Sequence, residues 1–352
     1  MRRRSALSLL GLAPAALATP AIAQDRTQWR MVTAWPRNLP GPGVTAQRLA
    51  DRIGEASGGR LTVELYAAGE IVPALEVFQA VSDGAAQIGH TASLFQAGRV
   101  AAAPLFTAGP FGLTPLEHIA WIEHGGGQAL WDEAYRAFGV RPFMAGNTGF
   151  QMGGWFRNEL SGLSDLQGLR IRMPGLGGEV MRRLGAAPVT LPPGEILTAL
   201  QTGVIDATEF LGPFSDFAAG FWRVAKNYYA PGWHEPNGTG EALVSAAAMD
   251  ALAPDLQAMV RDAARAENIV SLTEAEWQNG SALAELKAKG VTVRDYPADI
   301  VDAARRETGG VMEDLAARDD LSARIVASYR GAARHLDTWS KVSVQRFLAV
   351  RR

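Results

Sequence analysis

The sequence predicts a two-lobed α/β fold, a clamshell whose long C-terminal helices brace both lobes. Three observations carry this prediction. The chain has 352 residues, and a domain takes roughly 100–200, so two are expected. Its content is 47% hydrophobic, enough to fill two cores. The third is an internal repeat: Glu76-Val77-Phe78-Gln79-Ala80-Val81, Gly84 and Gln87-Ile88-Gly89-His90 are echoed by Glu195-Ile196-Leu197-Thr198-Ala199-Leu200, Gly203 and Asp206-Ala207-Thr208-Glu209. The preceding strand Leu61 to Leu65 is likewise matched with Leu169 to Met173. A unit that recurs in this way marks two related lobes.

The elements follow in order. Arg2, Arg3 and Arg4 precede an apolar run from Ala6 to Ala18, and Ala21-Ile22-Ala23 supplies small residues before Gln24. Residues 1–23 are therefore expected to be an export signal, of the Sec type or, from Arg3-Arg4, the twin-arginine type. Its removal would leave a chain more acidic than the full-length balance of −2. Gln28 to Trp35 reads as a strand ending at Pro36, and Gly41 to Gly58 as a helix with Leu49 and Ile53 on one face. Leu61 to Tyr66 alternates apolar and polar residues, as a half-buried strand does. A helix from Pro73 to Asp83 stops at Gly84. The short strands after the two repeated helices are expected to end at a cleft between the lobes, which makes His90 to Ser93 and Glu209 to Gly212 cleft candidates. The lobes are drawn as 24–147 with about 233–272, and 148–232 with about 273–352, with hinges near Asn147 and Trp233. Met249 to Val270, Thr273 to Ala288 and Asp319 to Leu348 read as the terminal helices, placed to brace the lobes or form a dimer surface.

Composition excludes several function classes. The chain has no cysteine, which removes thiol catalysis, disulfide frameworks and Cys-ligated metal sites. Lys+Arg 34 against Asp+Glu 36 is not the balance of a nucleic-acid binder. The sequence has no Gly-x-Ser-x-Gly elbow, phosphate loop or His-Glu-x-x-His. His118 and His124 are spaced so that they do not share a helix face, which argues against a metal pair. Gly175-Leu176-Gly177-Gly178-Glu179-Val180 lacks the third glycine of a dinucleotide site and reads as a tight turn.

Arg172 stands out. Leu169, Ile171 and Met173 alternate toward a core, so Arg170 and Arg172 point to the other face. Arg170 reads as a solvated charge. Arg172 lies at the strand's C-terminal end beside a glycine-rich loop, where a guanidinium suits a carboxylate.

Ala145-Gly146-Asn147-Thr148-Gly149, Gln151-Met152-Gly153-Gly154-Trp155, Leu166 to Gly168 with Arg172, and Ala199-Leu200 to Asp206-Ala207-Thr208-Glu209 together resemble the periplasmic substrate-binding proteins of TRAP transporters. The likeness is nearest to the branch that binds α-keto acids, lactate and related carboxylates, and extends to Trp35-Pro36, Ala67-Ala68-Gly69-Glu70, Gly125-Gly126-Gly127 and Pro231-Gly232-Trp233. It implies the periplasmic binding protein fold, a periplasmic location, TRAP membrane permease subunits as partners, and a homodimer through the C-terminal helix as in some relatives. It also implies that Arg172 pairs with the carboxylate of a small organic acid, a 2-keto or 2-hydroxy monocarboxylate. A bridging cation would be held by Gln151, Glu209, the Phe210 carbonyl and Glu235; oxygen donors of this kind suit Na⁺ or Ca²⁺. With the cleft ends, the expected ligand contacts are Arg172, Gln151, Asn147, Glu209, Phe210, Trp35 and Ser93. Four positions depart from the family pattern: Phe210 stands where a tryptophan is familiar, His234 interrupts a Trp-Trp-Glu-like stretch, and Leu94-Phe95 replaces a more Tyr-rich segment. The competing class is an exported enzyme acting on a small carboxylate in the same cleft, with Glu209 as its only attractive base.

Overall fold

The computed structural model describes residues 26–351, so the expected signal segment 1–23 lies outside them. Two sheets form the two lobes, and the chain passes between them four times.

The first sheet contains β1 (Thr27–Thr33), β2 (Leu61–Tyr66), β3 (Ile88–Thr91), β4 (Val140–Asn147) and, from much later in the chain, β10 (Thr239–Ser245), in the order β2-β1-β3-β10-β4. The second contains β5 (Gly154–Phe156), β6 (Arg170–Arg172), β7 (Ala187–Val189), β8 (Ala207–Thr208), β9 (Asn227–Ala230) and β11 (Thr292–Asp295), in the order β11-β9-β5-β8-β6-β7. Strands β1, β2 and β3 run parallel, as do β6, β7 and β8. In each sheet one antiparallel strand is inserted beside this trio: β10 between β3 and β4, and β5 between β8 and β9. Each inserted strand comes directly from the other lobe. The chain leaves β4 and enters β5, then leaves β9 and returns to β10.

This topology confirms the two-lobed α/β expectation and adjusts the internal repeat. The helices Val77–Ser82 and Ile196–Thr202 correspond, as do β3 and β8. The strand equivalent to β2, however, is β7 and not the Leu169–Met173 strand, because β2 and β7 are the outer members of their parallel trios and β1 and β6 the central ones. The second copy therefore begins at β6.

Local rules account for most elements. The helix Pro42–Ala56 starts with proline in its first turn and buries Leu49 and Ile53, one turn apart, against the first sheet's core. The glycine-rich stretch read as a tight turn is instead the start of a helix, Gly175–Arg183. Its glycines serve close packing: a Cβ on Gly178 would lie 2.1 Å from the Met173 carbonyl oxygen. Met249–Val270 and Thr273–Ala288 do not form two helices. A short helix, Ala246–Asp250, is followed by one 35-residue helix, Pro254–Ala288.

That helix is the third link between the lobes. Its N-terminal half buries Leu256, Val260 and Ala264 in the first lobe, and Leu286 near its other end belongs to the core of the second. Buried Glu267 joins it to the first lobe through Arg48 (2.8 Å), which also reaches Glu274 (2.7 Å). The chain then adds β11 and the helix Ala298–Ala316 to the second lobe. The last long helix, Asp320–Ser340, does not stay there as the drawn boundary of 273–352 required. Ile325, Val326 and Tyr329 lie in the first lobe's core, and the Leu113 amide donates to the Tyr329 hydroxyl at 3.0 Å. Its apolar face is complementary to the Trp121 side of that lobe. Among the described residues no helix is long and apolar enough to cross a membrane.

The packing makes a stability prediction. Leu49→Ala should lower the unfolding free energy by about 2–5 kcal/mol in urea titrations, while Gln47→Ala, on the solvent side of the same helix, should stay within about 0.5 kcal/mol.

Candidate functional site

The carboxyl ends of the central strands of both trios face one another across an inter-lobe space. The lobes are closed on it: Leu39 of the first lobe packs against a core of the second. From the first lobe the walls are Trp35, Thr45, His90, Ala92, Leu94 and Phe95; from the second, Arg172, Pro174, Glu209, Phe210 and Leu211; from the crossing segments, Asn147, Thr148, Gln151, Glu235 and Gly238; from the long helix, Ser271 and Glu274.

Arg172 ends β6, and Glu209 follows β8. Because β6 and β8 run parallel with Arg172 opposite Thr208, the residue after Thr208 is delivered beside the guanidinium. The Glu209 amide donates to the Arg172 carbonyl at 3.1 Å. Arg172 Nη1 in turn donates to the Glu209 carboxylate and to its carbonyl oxygen (3.2 Å), and Nε points at the Leu191 carbonyl (3.4 Å). Both side chains of the pair are almost fully buried, 4% and 2% exposed. Among the described residues these contacts leave Nη2, with its two hydrogens, without an acceptor. The Phe210 ring lies 5.9 Å from the guanidinium carbon, a cation–π distance.

Acceptors outnumber donors here. Gln151 uses its amide nitrogen on Thr148 Oγ1 at 3.0 Å, while its buried Oε1 has no partner. Burial pushes the Glu235 carboxyl well above the usual carboxylate range; neighbouring Glu209 adds to the rise, and Arg172 and the Gln151 amide pull it back. Among the described residues no three His, Cys, Asp or Glu side chains group into a metal cage. What is gathered is an orphaned amide oxygen with two buried carboxylates, a donor set that fits a hard cation. Gln151, Glu209 and Glu235 are the side chains that would hold one, and it would neutralise carboxylates that otherwise repel across a dry site.

The remaining expected contacts separate. Trp35 lines the space and donates its indole N–H to His90 Nδ1 at 2.7 Å. His90 Nε2 therefore carries the hydrogen and donates to the Ala145 carbonyl at 3.2 Å, and burial pushes this imidazole down to about 4, so it is neutral. Asn147 also lines the space, yet its side chain joins the two crossing segments: Nδ2 donates to Asn237 Oδ1 (2.7 Å), and Oδ1 accepts from the Gly149 amide (2.9 Å). Ser93 is turned away from the space. Its hydroxyl donates to Glu241 at 2.5 Å inside the first lobe. Arg170, read as a solvated charge, makes a bidentate surface pair with Asp206 at 2.8 and 2.6 Å.

Sequence reasoning missed three supporting residues. Asp216 accepts from Trp155 (2.8 Å), Tyr228 (2.8 Å) and the Leu211 amide (3.0 Å), and so holds the loop that carries Glu209 and Phe210. An acid in the first turn after Pro213 was its only signal. Asn237 and His118 extend the polar chain at the crossing, through Thr239, to the Leu105 carbonyl; no local pattern announces them.

The chain's relatives can now be compared with this geometry. The family model described as bacterial extracellular solute-binding protein, family 7 (DctP) matches residues 32–319. The chain belongs to this family. It is 37% identical to the monocarboxylate 2-oxoacid-binding periplasmic protein of Nostoc sp., over 97% of both chains. A TRAP periplasmic solute-binding protein from Pseudoalteromonas atlantica with bound sodium and pyruvate has the same fold, with a TM-score of 0.90, 35% identity, and coverage of 93% of this chain and 100% of that one. A TRAP transporter solute-binding protein from Bordetella bronchiseptica, a mixed-occupancy dimer with calcium and picolinate in one active site, gives a TM-score of 0.89 at 33% identity, covering 92% and 96%. The protein is thus an extracytoplasmic solute receptor and not an enzyme, and the two-lobed fold is the family's own.

Glu241 offers a test of the buried electrostatics. Burial pushes its carboxyl up to about 8, against hydrogen bonds from Ser93 and Tyr135. The folded chain therefore keeps a proton that the unfolded chain releases above its ordinary value of 4.5, so stability should fall as pH rises from 4.5 to 8. Denaturant titrations across that window should show Glu241→Gln losing less stability than the unmodified protein, by a slope approaching about 1.4 kcal/mol per pH unit.

Proposed function

We propose that this protein is the solute receptor of a TRAP transporter that binds a small 2-keto or 2-hydroxy monocarboxylate in the closed inter-lobe space, together with Na⁺ or Ca²⁺, and delivers it in the periplasm to the membrane permease subunits. The observation that carries the reading is Arg172: a buried guanidinium with Nη2 free, facing an orphaned amide oxygen and two buried carboxylates. The ligand carboxylate takes the free Nη2 hydrogens. Gln151, Glu209, Glu235 and the Phe210 carbonyl would hold the cation, whose charge would offset the buried carboxylates beside an anionic ligand. Sodium with pyruvate, and calcium with picolinate, in the two similar structures support this chemistry. Trp35, Leu94, Phe95 and Phe210 supply the apolar end that receives the ligand's carbon chain.

Binding and closure are coupled because the walls come from both lobes. A ligand that touches Arg172 and Trp35 at once makes its full set of contacts only in the closed form, and its differential affinity shifts the hinge equilibrium. Asn147 and Asn237 tie the two crossing segments into one hinge, so its role is to guide closure as well as to line the space. The tail beyond the last core contact exposes Trp339, Val342, Phe347 and Leu348, which supports a homodimer through the C-terminal helix.

Two outcomes follow. Arg172→Ala should abolish pyruvate binding in calorimetry, leaving the unliganded protein folded by circular dichroism; unchanged affinity would sink the assignment. Treating the unmodified protein with EDTA in sodium-free buffer should weaken pyruvate binding by at least about tenfold, with recovery on adding Ca²⁺ or Na⁺.

A further inference from the structure

His234 lies on the segment that returns from β9 to β10, with a fully buried side chain. Its Nε2 is 3.2 Å from Glu209 Oε2. An ionised carboxylate only accepts hydrogen bonds, so Nε2 supplies the hydrogen whatever charge the ring carries. Glu209 is then gripped at both oxygens, by Arg172 on Oε1 and by His234 on Oε2. Each oxygen has a second lone pair, so the two bonds fix the plane of the carboxylate while leaving it able to accept from elsewhere. Without the second grip, the carboxylate is free to rotate about its last side-chain bond and face Arg172 with both oxygens, the geometry that guanidinium favours.

The surroundings are shaped for this imidazole. Gly177 lies inside the helix Gly175–Arg183, where glycine is less favourable than alanine by about 1 kcal/mol. A Cβ there would sit 2.7 Å from the Cβ of His234. The Trp233 ring stands edge-on to His234 at 6.0 Å and 86°. The ring's Nδ1 is buried without a partner among the described residues. That placement leaves one ring nitrogen unpaired so that the other reaches Glu209, and buried unpaired polar atoms in native proteins call for an explanation of this kind.

We propose that His234 is the positioning residue of the cation site: its Nε2–H holds Glu209 in the one orientation that serves Arg172 and a hard cation together. The inference rests on the reading above, in which Glu209 is a cation ligand. His234 itself touches neither cation nor organic acid; it acts on cation affinity through Glu209.

The test uses metal-stripped protein at a fixed, saturating pyruvate concentration, with the Ca²⁺ midpoint read by thermal shift and calorimetry. His234→Leu removes the donor. His234→Gln retains an N–H at the end of a side chain of similar reach. Gly177→Ala leaves the imidazole intact but displaces it. Loss of a partner that orients a metal ligand costs about 10–100-fold in metal affinity, so His234→Leu should fall in that range, His234→Gln should stay within about threefold of the unmodified protein, and Gly177→Ala should weaken Ca²⁺ despite its better helix propensity. Pyruvate affinity at saturating Ca²⁺ should change far less than Ca²⁺ affinity. Equal Ca²⁺ midpoints for the Leu and Gln variants, whether both weakened or both unchanged, would overturn the proposal. If His234→Leu fails to fold, the Gln and Gly177→Ala variants decide it: a Ca²⁺ midpoint for Gly177→Ala matching the unmodified protein overturns it. An unmodified protein that responds to neither Ca²⁺ nor Na⁺ would instead refute the cation-site reading, and this inference with it.

Discussion

The structure depends on keeping one arginine out of water. A buried guanidinium is tolerated only when its charge is matched and its N–H groups are bonded, and Arg172 meets that condition within the second lobe, by strand pairing. The parallel register of β6 and β8 sets Thr208 opposite Arg172, so Glu209 arrives beside the guanidinium whatever the ligand is doing. Leu191 and the Glu209 carbonyl bind further hydrogens, and the Phe210 ring covers one side. Among the described residues Nη2 is left without an acceptor, and the proposed carboxylate binding rests on that edge of the guanidinium.

The same constraint explains why carboxylates and an amide oxygen collect around the space proposed for an anionic ligand. Glu209 is needed by Arg172, Glu235 is buried near it, and Gln151 presents an oxygen with no donor. A carboxylic acid alone would meet repulsion here. In the proposed reading, a cation bound with it would complete the balance of charge and make the acid and the ion one ligand in energetic terms. Around this centre the lobes exchange strands. Each lends the other one antiparallel strand, β5 or β10, and the long helix packs into both cores, tied to the first by the Arg48–Glu267 pair.

Much of the site was legible before any fold was known. Arg172 could be picked out because alternation around Ile171 put it on the face opposite the core and the glycine-rich stretch put it at a strand end. Gln151, Glu209 and Glu235 came from resemblance, and they do gather around one space. Ser93 did not, because the turn after β3 rotates its hydroxyl inward to Glu241, and a turn's rotation is not written in residue type. The glycines at 175–178 were misread because a helix packed tightly on its neighbours and a tight turn both call for missing side chains. The repeat was found but offset by one strand, since two short apolar-polar strands look alike and only their places in the sheet tell β6 from β7.

By itself, the sequence determined the class of fold and the number of lobes, and it supplied the expectations of an export signal at residues 1–23 and of Arg172 as the centre of the proposed site. Those features follow from composition and periodicity, which act between neighbours along the chain. Tertiary structure alone decided that the last long helix returns to the first lobe, that Asn147 meets Asn237, that Asp216 supports the Glu209 loop and that His234 grips Glu209. The physical reason is the same in each case: these contacts join residues far apart in the chain, and they exist only once strand register and helix packing have brought the segments together.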